Sequence, residues 1–224
     1  GVNAASLTGS AVIGAGSYGL VEGLLNTVSG VITGQGPNGE GVKSDGGGTL
    51  INHGEIVGMQ DDGVDFDGTG NIENYGTIRG LNTGAATPEG ISIGGGTIHN
   101  HATATIHGDV NGIYFVISAD TNPVQSAPGV LNNAGTITGG NGVGVRFYGP
   151  FDNQLTNSGT ITGGNGLAIH LEGVNNQVTL EGLSRVIGNI EAGSGNTTLQ
   201  VQNSAEVDGD IRLSGGDNTI TLSG

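Results

Sequence analysis

Carboxylates are the first side chains in this sequence whose spacing could support chemistry. Asp61, Asp62, Asp65 and Asp67 form the densest acidic set in the chain. In a strand, Asp65 and Asp67 project from the same face, and Asp61 or Asp62 can join them from the preceding turn. Such a set can coordinate calcium or supply an acid and base pair for glycoside hydrolysis. Solvated or turn-capping carboxylates are the simpler interpretation, and all three readings stay open.

A polysaccharide lyase would need a basic side chain beside these carboxylates, to act as the base or to neutralise a uronate. Lys43 and Arg79 are the only basic residues close in sequence. The pattern therefore leaves an enzyme as the alternative and favours a protein without catalytic residues.

Histidines give a second, looser pattern. His99 and His101 share a strand face, and His107 with Asp109 could come near them, as metal ligands do. The spacing matches no defined motif, so we predict exposed histidines and no metal site. The Gly-rich runs precede strands rather than helices, which excludes a phosphate-binding loop.

These side chains must be positioned by a repeated element. Residues 133–139 read NAGTITG, and residues 157–163 read NSGTITG, 24 positions later. The aliphatic residue of this phrase recurs at spacings of 24, 22, 28, 31, 24, 25 and 21 residues, with mixed residues on both sides. This alternation indicates strands with one buried face. The recurring positions are Ile32, Ile56, Ile78, Ile106, Ile137, Ile161, Val186 and Val207.

A second alternating strand follows a glycine in each repeat. The glycines are Gly41, Gly63, Gly90, Gly112, Gly142 and Gly166. A less regular third strand, such as that around Leu50 or Ile98, completes a coil of 22 to 25 residues. The sequence thus predicts an all-β fold, a single-stranded parallel β-helix of about 8–9 coils and on the order of 40 Å long.

Other repeat folds fit less well. A helical solenoid needs apolar spacing near 3.6, and a β-sandwich would not keep isoleucine in register through the chain. A calcium-binding nonapeptide β-roll shares glycines with the GGNG runs at 139–142 and 163–166, but the regular aspartates are missing.

An asparagine precedes most of the recurring strands, at positions 52, 74, 100, 133 and 157. Its amide can bond to the copies above and below, so we predict a structural ladder. The residues that follow it are expected to form an exposed stack along the rod. They are His53, Tyr75, His101, Ala134 and Ser158.

Charge and composition limit the partners. The chain has 20 acidic and 5 basic residues, a net charge of −15, which repels nucleic acid and anionic membranes. No apolar run is long enough to insert into a bilayer, and no cysteine is present for a disulfide. Neutral or basic partners remain.

Two coils exceed the repeat, and their extra residues should leave the stack as loops. The predicted insertions are residues 81–89 and 118–128. Insertions on a rigid solenoid are common binding sites. The candidate partner-binding residues lie in the second insertion and in neighbouring strands: Tyr114, the Ala119–Asp120 pair, Asn122, Gln125 and Arg146.

The segments 62–80 and 89–98, with the later phrases VIGNIEAG at 186–193 and VDGDIRL at 207–213, resemble passenger domains of bacterial autotransporters. The resemblance spans most of residues 20–222. It implies a right-handed β-helical stalk at a Gram-negative cell surface, extracellular, virulence-associated and serving adhesion, self-association or biofilm formation. It also implies an outer-membrane barrel and a signal peptide, which this sequence does not contain.

We therefore expect residues 1–224 to be one β-helix segment of a larger passenger, acting as a non-enzymatic stalk or adhesin. Its partners would be sibling copies or a host-surface protein or glycan. No cofactor is expected, with calcium at the aspartates left open. The alternative is a secreted β-helical polysaccharide lyase or hydrolase that uses residues 61–67.

Overall fold

The strands of this chain stack into a parallel β-solenoid. The structure, a computed structural model, describes residues 23–36, 39–82, 87–116 and 127–224, with the backbone of two short strands before them. All strand pairs are parallel, and the stack makes about eight turns, which confirms the predicted parallel β-helix. Within those described ranges no helix is long and apolar enough to span a membrane.

Face 1 carries the recurring aliphatic column. Ile32 pairs with Ile56, and each later member pairs with the next through Val207, so the predicted register is confirmed. These side chains are buried as far as Val186. The strands are β1 (Ser6–Thr8), β4 (Val31–Gly34), β7 (Glu55–Gly58), β9 (Thr77–Gly80), β11 (Thr105–Gly108), β14 (Thr136–Gly139), the first parts of β17 (Thr160–Leu171) and β19 (Arg185–Ala192), and β21 (Glu206–Asp208).

Face 2 follows in each coil, and its register corrects two of the predicted opening glycines. Val145 pairs with Ile113 and Ile169, so the residues equivalent to Gly112 are Gly144 and Ala168, not Gly142 and Gly166. Extra residues in the preceding turn shift the strand start. The strands are β2 (Ala11–Val12), β5 (Val42–Ser44), the first parts of β8 (Val64–Asn74) and β10 (Ile91–Asn100), β12 (Ile113–Phe115), β15 (Val145–Phe147), the ends of β17 and β19, and β22 (Ile211–Leu213).

Face 3 closes the coil and is as regular as the others. Its aliphatic column runs in unbroken register from Leu24 to Ile220. The strands are β3 (Leu24–Asn26), β6 (Gly47–Asn52), the ends of β8 and β10, β13 (Gly129–Asn133), β16 (Gln154–Asn157), β18 (Asn175–Leu180), β20 (Asn196–Gln202) and β23 (Thr219–Ser223).

Between faces 3 and 1, the predicted asparagine ladder is present and begins one coil earlier, at Asn26. Each side-chain amide donates from Nδ2 to Oδ1 of the next at 2.7–2.8 Å, and the row ends at Asn157. Leu180 takes the next register position. The amides are at most 2% exposed, so the ladder satisfies polar groups that would otherwise be buried without partners.

Candidate functional site

A column of side chains, four of them polar, lies in the turn between faces 1 and 2. Each residue stands two positions before the first residue of the face 2 register. From Asp62 onward, its carbonyl accepts a hydrogen bond from the backbone of the previous coil. The column reads Glu40, Asp62, Glu89, Asn111 and Val143. We call it the acidic column. Parallel stacking brings its members together although they are 22 to 32 positions apart in sequence.

Asp62 and Glu89 are the buried centre of the acidic column, at 6% and 8% exposure. Asp62 Oδ1 accepts the Glu89 backbone N–H at 2.7 Å, which brings the two carboxyl groups within interaction range. Burial, and then the Glu89 charge, raise the pKa of Asp62 well above its usual range. Burial also raises the pKa of Glu89, whose Oε1 accepts Asn111 Nδ2 at 2.8 Å.

Asp65 and Asp67 lie together on the outside of face 2, as predicted, and both contact Lys43. The Lys43 ammonium forms an ion pair with Asp65 and lies 3.1 Å from Asp67 Oδ2. Burial lowers the pKa of Lys43, but the two carboxylates outweigh it and the pKa is raised. Burial raises the pKa of Asp65 above its usual value, although the Lys43 ammonium opposes this shift.

The predicted acidic cluster is thus divided. Asp62 contacts Glu89 in the buried column, Asp65 and Asp67 contact Lys43, and Asp61 lies in the turn, where burial raises its pKa. In the described part of the chain, no three histidine, aspartate or glutamate side chains are grouped to hold a metal ion. Calcium binding and glycan cleavage at this cluster stay predictions.

Tyr114 and Arg146, two of the candidate partner-binding residues, are neighbours in register on face 2. The Arg146 guanidinium lies 5.2 Å from the ring centroids of both Tyr114 and Tyr148, within the range of a cation–π interaction. Its Nη2 donates to Glu172 Oε1 at 2.9 Å. Arg146 is therefore engaged by side chains of its own molecule.

The other candidates, Ala119–Asp120, Asn122 and Gln125, lie outside the described residues, as does most of the 118–128 insertion. The 81–89 insertion is described only at its ends. Leu81 donates its backbone N–H to Gly58 at 2.8 Å, and Glu89 belongs to the acidic column.

The histidines of the predicted pattern do not share one set of partners. His101 Nε2 lies 2.7 Å from Glu73 Oε2, and its ring stacks on Tyr75 at 3.8 Å, with His53 on the other side of Tyr75 at 4.6 Å. This confirms the predicted stack for its first three members. His107 instead lies on face 1, where it contacts Asp109 at 3.0 Å.

The second half of face 3 is free of charge. Five consecutive strands, β13, β16, β18, β20 and β23, contain no charged residue. We call the outward side of these strands the neutral face. Its side chains are Val130, Asn132, Gln154, Thr156, Gln177, Thr179, Thr198, Gln200, Thr219 and Thr221.

Most hydrogen-bonding groups of the neutral face are unused within the chain. The side chains of Gln154, Gln177 and Thr198 are exposed and make no hydrogen bond to any other described residue. Thr156 and Thr179, half-buried beside them, make none to that part of the chain either. The neutral face therefore offers donors and acceptors to a partner.

Sequence reasoning missed both the acidic column and the neutral face. Alignment of the residues that precede each face 2 strand would have placed Glu89 beside Asp62. Comparisons with protein-family models, with curated proteins and with solved structures found no match to this chain.

Proposed function

We propose that this chain is a rigid stalk and adhesin segment of a surface-displayed, autotransporter-type protein, and that it associates with sibling copies through the neutral face. The neutral face is the observation that carries this proposal. Copies with a net charge of −15 repel each other, and the repulsion is weakest where strands carry no charge.

The chemistry of the neutral face suits a second copy of itself. A glutamine amide is both donor and acceptor, and a threonine hydroxyl is too, so two identical faces related by a twofold axis can satisfy each other. A charged partner would gain no ion pair there. A neutral glycan is the competing partner for the same groups.

The size of the neutral face sets the strength of the contact. Five strands spaced about 4.8 Å apart, each with about five residues that rise about 3.3 Å per residue, cover roughly 400 Å². A stable complex usually buries about 800 Å² on each partner. A single contact is therefore weak, and adhesion would come from many copies on one surface.

The test compares clustering of beads coated with the wild-type chain and with a Gln154→Glu/Gln200→Glu variant. The two positions lie two coils apart, so the added carboxylates do not oppose each other within the fold. We expect the wild type to cluster and the variant to cluster at least about tenfold less, because like charges now face each other across the contact.

A Thr105→Glu/Thr160→Glu variant is the matched control, because it adds the same charge to face 1. It should cluster like the wild type. Equal losses in both variants, or no clustering by the wild type, would contradict the proposal, and inhibition by neutral glycans would shift it to a glycan partner.

A further inference from the structure

Asp62 and Glu89 face each other across two stacked coils with very little solvent access. Both residues are more than nine-tenths buried, and Asp62 Oδ1 accepts the Glu89 backbone N–H at 2.7 Å. Two adjacent carboxyl groups can hydrogen bond to each other only if they share a proton. Backbone hydrogen bonds hold the two coils together beside the pair, because Gly63 donates to the Glu89 carbonyl at 3.0 Å and Val64 donates to the Gly90 carbonyl at 3.1 Å. The pair must therefore hold its proton or face a buried repulsion.

The next contact in the acidic column forms without a shared proton. Asn111 Nδ2 donates to Glu89 Oε1 at 2.8 Å, and Asn111 Oδ1 accepts the Val143 N–H at 2.9 Å. An amide above a carboxylate supplies its own donor. The Asp62–Glu89 contact differs from this one by a single donor group.

The surrounding charges do not replace the proton. Asp61 and Asp65 act on the pair as further negative charges, and Glu40 lies one coil before Asp62 in the same column. Lys43, the nearby cation, contacts Asp65 and Asp67. Every charged group that faces the pair is thus either acidic or already engaged.

We propose that Asp62 and Glu89 form a proton-dependent contact between the turns that precede β8 and β10. The contact is closed while the two carboxyl groups share a proton and weakened when that proton is released to solvent. The regulated quantity is the stability of coil stacking at this junction. The proposal is independent of which partner the neutral face binds.

The direction of the pH effect follows from linkage. Asp62 has a raised pKa in the folded chain and a value near 3.8 when unfolded, so the folded chain binds more protons between these values. Stability is therefore fully present below pH 3.8 and falls as the pH rises through the raised pKa.

The test measures thermal unfolding from about pH 4 to pH 9 for the wild type and for Asp62→Asn. The new amide keeps the acceptor for the Glu89 N–H and donates to the Glu89 carboxylate at any pH. We expect its melting temperature to exceed that of the wild type by about 3 °C or more at pH 8 and the two to converge in acid.

Hydrogen exchange gives a local readout that does not need cooperative unfolding. At one neutral pH, peptides covering residues 61–66 and 88–93 should exchange faster in the wild type than in Asp62→Asn. Glu89→Gln is the second variant, because its amide accepts from Asn111 and donates to Asp62. It should reproduce the flat pH profile if Asp62→Asn folds poorly.

Asp208→Asn is the control, since it removes the same charge from an exposed position. Its pH profile should run parallel to that of the wild type. Parallel profiles for Asp62→Asn, Glu89→Gln and the wild type would overturn the proposal. So would a calcium-induced rise in the wild-type melting temperature at neutral pH that Asp62→Asn abolishes, because a cation would then replace the proton.

Discussion

At the scale of the residue, single buried amides have a large effect on the stability of the fold. Asn100 donates to Asn133 and accepts from Asn74, both at 2.8 Å, and it is only 1% exposed to solvent. An unsatisfied buried polar group costs about 1–3 kcal/mol, more than a typical hydrogen bond contributes. Removing one asparagine from the ladder should therefore cost more stability than replacing the whole row with apolar residues.

Asn100→Ala should lower the free energy of unfolding by about 2 kcal/mol or more, because the Asn133 oxygen loses its donor and the Asn74 amide loses its acceptor. Urea denaturation followed by circular dichroism measures this loss. Asn132→Ala is the control: its half-buried side chain only approaches His99 at 3.4 Å, and a change of about 0.5 kcal/mol is expected. Equal losses would argue against the ladder as a source of stability.

Residue identity alone predicted the asparagine ladder but not the Asp62–Glu89 contact. The asparagines recur in one phrase, which makes their alignment visible. Glu89 follows a longer coil, 27 positions after Asp62, and its neighbours do not repeat the local sequence. Only the register of the strands shows that the two acids share a column.

Element packing depends on how large and small side chains alternate around each corner. Phe115 and Phe147 stack with ring centroids 4.5 Å apart, and Gly129 lies beside both rings at the start of β13. A Cβ added at Gly129 would lie 2.7 Å from Phe115 Cδ1 and 2.9 Å from Phe147 Cε1. The glycine is required there by space.

Gly129→Ala should destabilise the fold by about 1–3 kcal/mol through overpacking. Phe115→Leu in the same chain should restore part of that loss, and a double-mutant cycle in urea measures the coupling. Gly193→Ala serves as the comparison, since its added Cβ meets only Leu171 O at an ordinary 3.7 Å. A Gly129→Ala loss that the second change leaves untouched would rule out the steric explanation.

Strands and their order were predictable because the aliphatic residues alternate with period two and recur once per coil. The starts of β15 and of the face 2 part of β17 were not predictable, since extra glycines in the preceding turns allow two alignments. The candidate partner surface was sought in the insertions, where loops usually bind. The neutral face was not predicted because it is defined by the lack of charged residues on neighbouring strands, and no sequence motif describes such a lack.

At the scale of the whole molecule, charge distribution decides how copies meet. Lys43, Arg79, Arg146, Arg185 and Arg212 each lie within 4.0 Å of a carboxylate, so the positive charges are used inside the fold. The neutral face is therefore a surface through which copies can approach closely without opposing charges of the same sign on its strands.

Self-association should therefore strengthen with ionic strength. From 0.01 M to 0.1 M salt the screening length falls from about 30 Å to about 10 Å, which weakens repulsion between copies and leaves neutral hydrogen bonds intact. Bead clustering or sedimentation at the two salt concentrations measures the change. Weaker association at the higher concentration would show that ion pairs hold the copies together.

The asparagine ladder also gives the rod an electrical direction. All five amide bonds point the same way, from the nitrogen of one coil to the oxygen of the next. Aligned amides polarise one another, so their dipoles add along the axis. The Asn26 end is negative and the Asn157 end positive, so the row of asparagines gives the rod a net dipole along its axis.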